Sequence, residues 1–245
     1  MKRILGVIAV VGLVAGLAAN TASAQLYNMP VYVSPAFGTG VGVFGNFGMG
    51  LNDDAKLLGT GDSPMAFGGH VILGLSKFQI MGGAMYVDPK ITGVDKEISF
   101  GGNLGLTLYR LPASVLVVNV QAGAGFVKFG DAGDEVKQWN FPIAVGFAAN
   151  VPVVGAFVEP WIAPRVQIFS SSATGFDSET DIGFGVSGGI NANLLLGIGA
   201  WAALDWYTVK YGDSSESTSP MTLGAGLSWK FSVPSLGIPG GIIGG

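Results

Sequence analysis

The clearest pattern in the chain is a strict alternation of apolar and small or polar residues from Met221 to Phe231. Every second residue of this stretch is apolar, and the residues between them are Thr, Gly, Ser and Lys. Successive side chains of a β-strand point to opposite faces, so the alternation predicts a strand with two chemically different faces. The apolar face ends in Trp229 and Phe231, which is typical of a lipid-facing strand where it meets a membrane interface.

The same alternation recurs along the chain and predicts about ten strands, with eight as the alternative count. A tilted strand needs roughly 9–11 residues to cross the hydrocarbon of a bilayer, and most of these segments are at least that long. Pro160 and Pro164 share one face of the seventh segment, where they predict a bulge or a locally open pairing because proline has no N–H to donate. The predicted strands cover residues 37–51, 65–75, 78–87, 97–109, 115–129, 137–149, 156–169, 180–192, 195–209 and 221–231.

The connections between these strands alternate in length. Long polar loops, such as 52–64 and 170–179, follow the odd-numbered strands, and short turns follow the even-numbered ones. Outer-membrane barrels have short periplasmic turns, longer extracellular loops and an even number of strands. In lipid only closure leaves no unpaired strand edge, so the pattern predicts an all-β, closed, antiparallel up-and-down transmembrane barrel.

Composition separates this prediction from its rival, a secreted soluble barrel or sandwich. Only 11% of the 245 residues are charged, against about a quarter in an average soluble domain. A face that met water would carry charge. The non-apolar face here is mostly Gly, Ala, Ser, Thr, Asn and Gln, which suits the narrow lumen of a small barrel better. The chain has 41 glycines and no cysteine, so disulfides and thiolate metal sites are excluded.

The chain begins as a secretory signal peptide does. Lys2 and Arg3 precede an apolar run, and Ala22-Ser23-Ala24 offers a cleavage site before Gln25. We therefore predict a signal peptide at residues 1–24, a barrel at 25–231 and a Gly/Pro-rich tail at 232–245. Without Lys2 and Arg3 the chain has 10 basic and 16 acidic residues, so it lacks the basic footprint of a nucleic-acid-binding protein.

With its signal peptide, repeated alternation, Gly-rich strands and terminal GLSWKF, the chain resembles the outer-membrane β-barrel superfamily of Gram-negative bacteria, the small OmpA-like and opacity-type barrels. The resemblance implies a location in the bacterial outer membrane and contact with its lipid and lipopolysaccharide. It also implies that the barrel assembly machinery reads residues 227–231. The chain departs from the family pattern because residues 232–245 follow Phe231. We expect this tail to be loosely packed, the alternative being a plug that folds back into the lumen.

Candidate chemistry lies on the face predicted to line the lumen. His70 is the only histidine, and the sequence around it offers no nucleophile or acid, so we interpret it as lumen filler. Charges in a membrane barrel need partners or water, and an Arg165–Asp181 pair on adjacent strands is expected. These charges form either a structural lattice or a constriction or binding site. The lumen candidates are His70, Asn103, Asn119, Gln121, Glu159, Arg165, Asp181, Asp205 and Lys230, with Glu97 on the same face.

Acidic residues concentrate in the loops predicted to lie outside the cell, where they are solvated or bridged to lipopolysaccharide phosphates by divalent cations. No loop has the spacing of a dedicated Ca²⁺ site, and no cofactor, metal or catalytic residue is expected. The sequence therefore predicts a structural or surface-exposed barrel without enzyme activity. The alternatives are a narrow channel for small or apolar solutes and an adhesin that acts through its acidic loops.

Overall fold

The structure is a computed structural model that describes residues 34, 36–56, 62–90, 95–111, 116–130, 136–173, 178–194, 196–210 and 217–231. The predicted signal peptide, most of the segment 25–35 and the tail 232–245 lie outside the described residues. A one-turn 3₁₀ helix, Asp53–Ala55, follows the first strand. In the part of the chain that is described, no helix is long and apolar enough to cross a membrane.

Antiparallel strands make up the rest of the fold, and their bounds agree closely with the alternation in the sequence. The strands are β1 (Gly40–Gly50), β2 (Met65–Leu75), β3 (Phe78–Asp88), β4 (Glu97–Arg110), β5 (Leu116–Phe129), β6 (Val136–Ala149), β7 (Val151–Val153), β8 (Ala156–Ala173), β9 (Glu179–Leu194), β10 (Ile198–Val209) and β11 (Met221–Phe231).

Consecutive strands pair side by side, and two further pairings close the sheet into a barrel. β1 pairs with β11, and β6 pairs with β8. β6 and β7 are two segments of one barrel strand, because the register that joins Ala148 to Trp161 also joins Val151 to Val158. The fold is thus a closed antiparallel barrel of ten strands, which confirms the predicted class and excludes the eight-strand alternative.

The strands are strongly tilted to the barrel axis. We trace each residue to its partner on the next strand, starting at Gly40 in β1 and going once around the barrel. The trace comes back to the first strand near Asn52, beyond the end of β1. This stagger of about 12 residues corresponds to a tilt of about 40°, as closed barrels of this size require. The path runs through Gly40, Gly74, Gln79, Gly105, Gln121, Ala144, Arg165, Gly185 and Tyr207, whose N–H donates to the carbonyl of Pro220.

The outer surface of the barrel is apolar. Leu227 and Trp229 on β11 are 70% and 59% exposed, and Phe184, Ile182 and Leu104 are more than half exposed. Aromatic side chains gather towards both ends of this surface. Trp229 and Phe231 touch at the end with short turns, and Trp139 contacts both Phe126 and Phe141 at the end with long loops. An apolar band between two aromatic girdles is the exterior of an outer-membrane barrel.

The two prolines of β8 interrupt its backbone hydrogen bonding on one edge of the strand. The ladder between β8 and its neighbour β6–β7 is interrupted opposite Pro160 and Pro164, while the register on both sides is unchanged. The other edge of β8 pairs with β9 without a gap. The locally open pairing is therefore confirmed, and the alternative of a bulge is not found.

Two expectations about strand ends are wrong. The alternation predicts one strand over residues 37–51, but β1 begins at Gly40, and Phe37 is only 8% exposed, inside the barrel. Gly40 has φ +140°, a conformation that favours glycine, and it redirects the chain there. The loop 170–179 is also shorter than expected, because Ser170 and Ser171 pair with Thr180 and Glu179 and extend both strands.

Candidate functional site

The interior of the barrel holds the polar side chains that the sequence singles out. Each of the nine candidates lies on the inward side of its strand, and His70, Asn103, Asn119, Gln121, Glu159, Arg165 and Asp205 are buried. Asp181 and Lys230 lie nearer the ends and are partly exposed. Buried polar groups need hydrogen-bond partners, so the question is which partners the strand registers bring together.

Arg165 lies at the centre of the largest polar cluster. Its Nη1 and Nη2 atoms donate to the two carboxylate oxygens of Asp205 at 2.7 and 2.9 Å, a bidentate ion pair whose side chains are 0% and 1% exposed. Nη1 also donates to Ser187 Oγ at 3.0 Å, and Nε donates to Gln167. The Ser187 hydroxyl donates to Asp205, and Tyr207 lies with its ring 5.8 Å from the guanidinium carbon.

The expected Arg165–Asp181 pair is wrong. The β8–β9 register places Gly185 opposite Arg165 and Asp181 opposite Phe169, four residues before Gly185 in β9. At about 3.3 Å per residue this offset is too long for the pair. The guanidinium instead crosses β9 to Asp205 on β10, since Gly185 and Ser187 are small. A Cβ at Gly185 would lie 3.0 Å from the guanidinium carbon.

Amide side chains form a second polar group on β4 and β5. Asn103 Nδ2 donates to Gln121 Oε1 at 3.1 Å, and Gln121 Nε2 donates to Asn119 Oδ1 at 3.2 Å. Between β9 and β8, Asn191 Nδ2 donates to Glu159 Oε1 at 2.8 Å. These side-chain hydrogen bonds provide partners for polar groups that the barrel shields from water.

His70 is held as a packing residue. Asn46 Nδ2 donates to its Nδ1 at 2.8 Å, and its ring stacks on Phe44 with centroids 4.4 Å apart and planes 9° apart. Its Nε2 has no hydrogen-bond partner among the residues that the structure describes. No nucleophile is therefore paired with this histidine in the described part of the chain, as base catalysis would require.

Several further polar residues of the interior were not among the sequence candidates, and four of them make the contacts described above: Asn46, Gln167, Ser187 and Asn191. All four lie on the inward side of their strands, so the alternation contained the signal. Asn46, Ser187 and Asn191 have partners on neighbouring strands, which only the register reveals, whereas Gln167 contacts Arg165 two residues away on β8.

At the long-loop end, the chain after β1 is fastened to the chain before β11. Asn52 Nδ2 donates to the Ser219 carbonyl at 2.8 Å, and Asn52 Oδ1 accepts from the Met221 N–H at 2.9 Å. The Ser219 N–H donates to Asp54 Oδ2 at 2.7 Å. These bonds join the two strands whose pairing closes the barrel, beyond the last residues of the ladder.

Lysines accompany several of the loop acids. Lys56 lies 2.6 Å from Asp53, and the hydrogen bond and charge of Lys56 hold the pKa of Asp53 below its ordinary value of 3.8. Lys90 and Lys96 lie 2.9 and 3.4 Å from Asp88. Three or more His, Asp, Glu or Cys side chains do not cluster into a metal site anywhere in the described ranges. The loop acids 131, 134, 135, 177, 213 and 216 lie outside those ranges.

Comparison with known proteins finds likenesses among solved structures. No protein-family model matches the chain, and no curated protein matches it. Among solved structures, the chain is similar to the outer membrane protease OmpT from Escherichia coli, with a TM-score of 0.37 and 9% sequence identity, over 79% of this chain and 94% of that chain. The described strand registers and the two chemical faces establish the outer-membrane barrel fold independently of that likeness.

Proposed function

We propose that this chain is a structural protein of a bacterial outer membrane, which presents its long loops at the cell surface and has neither catalytic nor transport activity. The observation that carries this proposal is the filled interior. The lumen of a channel barrel is filled with water, whereas the interior of a small barrel can be filled by its own side chains.

Both apolar and polar residues fill the space. Ile72, Met85, Val117, Gln121 and Gln167 are each less than 2% exposed, although their strands lie on different sides of the barrel. The Arg165–Asp205 pair passes over the inner face of β9 and joins β8 to β10. Water does not reach these inward side chains on several sides of the barrel, and this supports a closed barrel over a narrow channel.

The proposed location and partners rest on the outer surface. The apolar band and its aromatic girdles favour contact with outer-membrane lipid, and the long loops would then meet lipopolysaccharide. Residues 227–231 end the last strand with outward Trp229 and Phe231, and we propose this segment as the signal for the barrel assembly machinery.

Planar-bilayer recording tests the closed state. The folded protein, verified by a heat-modifiable shift on unboiled gels, is reconstituted and held under voltage. We expect no reproducible conductance steps. Discrete steps that repeat between preparations and scale with protein concentration would contradict the structural role and favour the channel.

Exposure of the loops is tested on intact cells. A protease added outside should cut within the long loops, between β5 and β6 or between β10 and β11, and leave the short turns intact. Cleavage confined to the short turns would reverse the proposed orientation. Adhesion through the loops is tested separately by deleting residues 211–216 and measuring surface binding.

A further inference from the structure

The chain before β1 enters the barrel at the short-turn end. Ser34 is 4% exposed and Phe37 is 8% exposed, and Ala36 packs against the interior cluster that includes Phe37. None of these residues belongs to a strand, so no ladder of backbone hydrogen bonds holds them. Residues 34 and 36–38 therefore occupy the opening of the barrel at its short-turn end, here called the short-turn mouth, without strand pairing.

Two glycines of the barrel wall make room for this segment. A Cβ at Gly74 would lie 1.7 Å from the carbonyl oxygen of Gly38 and 3.0 Å from the ring of Phe37. A Cβ at Gly42 would lie 2.8 Å from the same ring and 2.7 Å from Phe44. Real Cβ atoms do not approach backbone so closely, so position 74 must be glycine while the segment is in place, and a side chain at position 42 would force the rings of Phe37 and Phe44 to shift.

Polar and aromatic side chains complete the pocket around residues 34 and 36–38, which we call the seat. Gln79 Nε2 donates to the Ser34 carbonyl at 3.5 Å, a long hydrogen bond. Lys230 Nζ lies 5.3 Å from the centre of the Phe37 ring, within the range of a cation–π interaction. Phe44, which is stacked on His70, forms the inner wall. The seat therefore has three parts. Glycines leave room for a backbone segment, an aromatic pocket holds a ring, and a lysine lies near that ring.

We propose that the short-turn mouth is a binding site for an extended peptide that carries an aromatic side chain next to a glycine, and that residues 34 and 36–38 are its resident ligand. Phe37 is the anchor in the pocket, and Gly38 is the residue whose backbone lies against Gly74. Because side-chain contacts hold the segment, it can leave the seat while the barrel stays closed, and Gly40 supplies the hinge. A peptide of the same chemistry from another protein would then compete for the seat.

Thiol labelling tests the proposal, since the chain has no cysteine. Ser228 faces inward, pairs with Phe44 across the β1–β11 ladder and is 6% exposed, so Ser228→Cys places a near-isosteric probe behind the segment. Gly74→Val should expel the segment and speed labelling by a charged maleimide at least about tenfold, because the open state becomes dominant. Gly45→Val is the matched control, since Gly45 faces outward with nothing within 4 Å, and it should leave the rate unchanged.

A deletion keeps the test decisive if Gly74→Val does not fold. Removal of residues 25–38 from the Ser228→Cys protein, with folding checked by heat modifiability, should give the same fast labelling. The synthetic peptide Ser-Pro-Ala-Phe-Gly-Thr, added at millimolar concentration, should slow it again, and the Phe37→Ala version of that peptide should not. Slow labelling after the deletion would overturn the proposal, and so would equal effects of the two peptides. The structural role is tested by bilayer conductance and not by thiol labelling, so a failure of one proposal can be told apart from a failure of the other.

Discussion

Replacing Asp205 by asparagine should destabilise the barrel more than any surface substitution. Asp205→Asn keeps the shape of the side chain but removes the negative charge that both guanidinium nitrogens of Arg165 contact at 2.7 and 2.9 Å. Both side chains are at most 1% exposed, so water cannot replace the lost charge. Breaking a buried pair in this way costs about 3–5 kcal/mol, which lowers the folding equilibrium constant by about two to four powers of ten.

The assay is reversible unfolding by guanidinium chloride in phospholipid micelles, followed by tryptophan fluorescence. Two controls define the result. Asp53→Asn breaks an exposed ion pair with Lys56 and should have no measurable effect. The double substitution Arg165→Met, Asp205→Leu removes both charges and should recover most of the loss, since apolar residues often replace buried ion pairs without penalty. A cost below about 1 kcal/mol for Asp205→Asn, or a double variant as unstable as the single one, would refute this reasoning.

Three further predictions follow from single contacts. His70→Ala should cost about 2–4 kcal/mol in the same assay, because it leaves a cavity beside Phe44 and removes the partner of Asn46; a neutral result would mean that the stack carries no energy. Gly185→Ala should destabilise the protein, since its Cβ would lie 2.6 Å from Tyr207 Cβ and 3.0 Å from the Arg165 guanidinium carbon, whereas Gly45→Ala, which meets open space, should be better tolerated. The carboxyl of Asp53 should titrate below 3.8 by NMR, and Lys56→Ala should raise its titration midpoint. Because the folded-state pKa is lowered, the Asp53–Lys56 contact is complete above pH 3.8 and is lost as the pH falls through the folded pKa, with a contribution to stability too small to measure; an unchanged midpoint in Lys56→Ala would show that Lys56 is not the cause.

The two faces of the barrel follow from the sequence because strand alternation is a local property. The parity of Met221–Phe231 assigns Leu227 and Trp229 outward and Gly224 and Ser228 inward, and the structure agrees. The same reasoning holds for strands as different as β2 and β9. The count of ten follows too, since each change of direction needs a loop or turn with its own composition.

The partners inside the barrel could not be predicted in the same way. Alternation says which side a residue faces but not how far one strand is shifted against the next, and that shift decides every contact across the lumen. Arg165 was therefore assigned to Asp181 on the adjacent strand, although Asp205 lies on the strand beyond it. The position of Phe37 was missed for a related reason. Its parity fits β1, but the chain turns at Gly40 before the strand begins.

Tryptophan quenching by brominated lipids tests the central claim, a filled barrel with a lipid-facing exterior, most directly. The chain has five tryptophans, of which Trp139, Trp206 and Trp229 face outward, while Trp161 and Trp201 face inward and are 6% and 9% exposed. In variants that each retain one tryptophan, brominated acyl chains should quench the three outward residues strongly. The two inward ones should resist both brominated lipid and aqueous iodide. Equal quenching of all five by lipid, or quenching of Trp161 and Trp201 by iodide, would contradict the account.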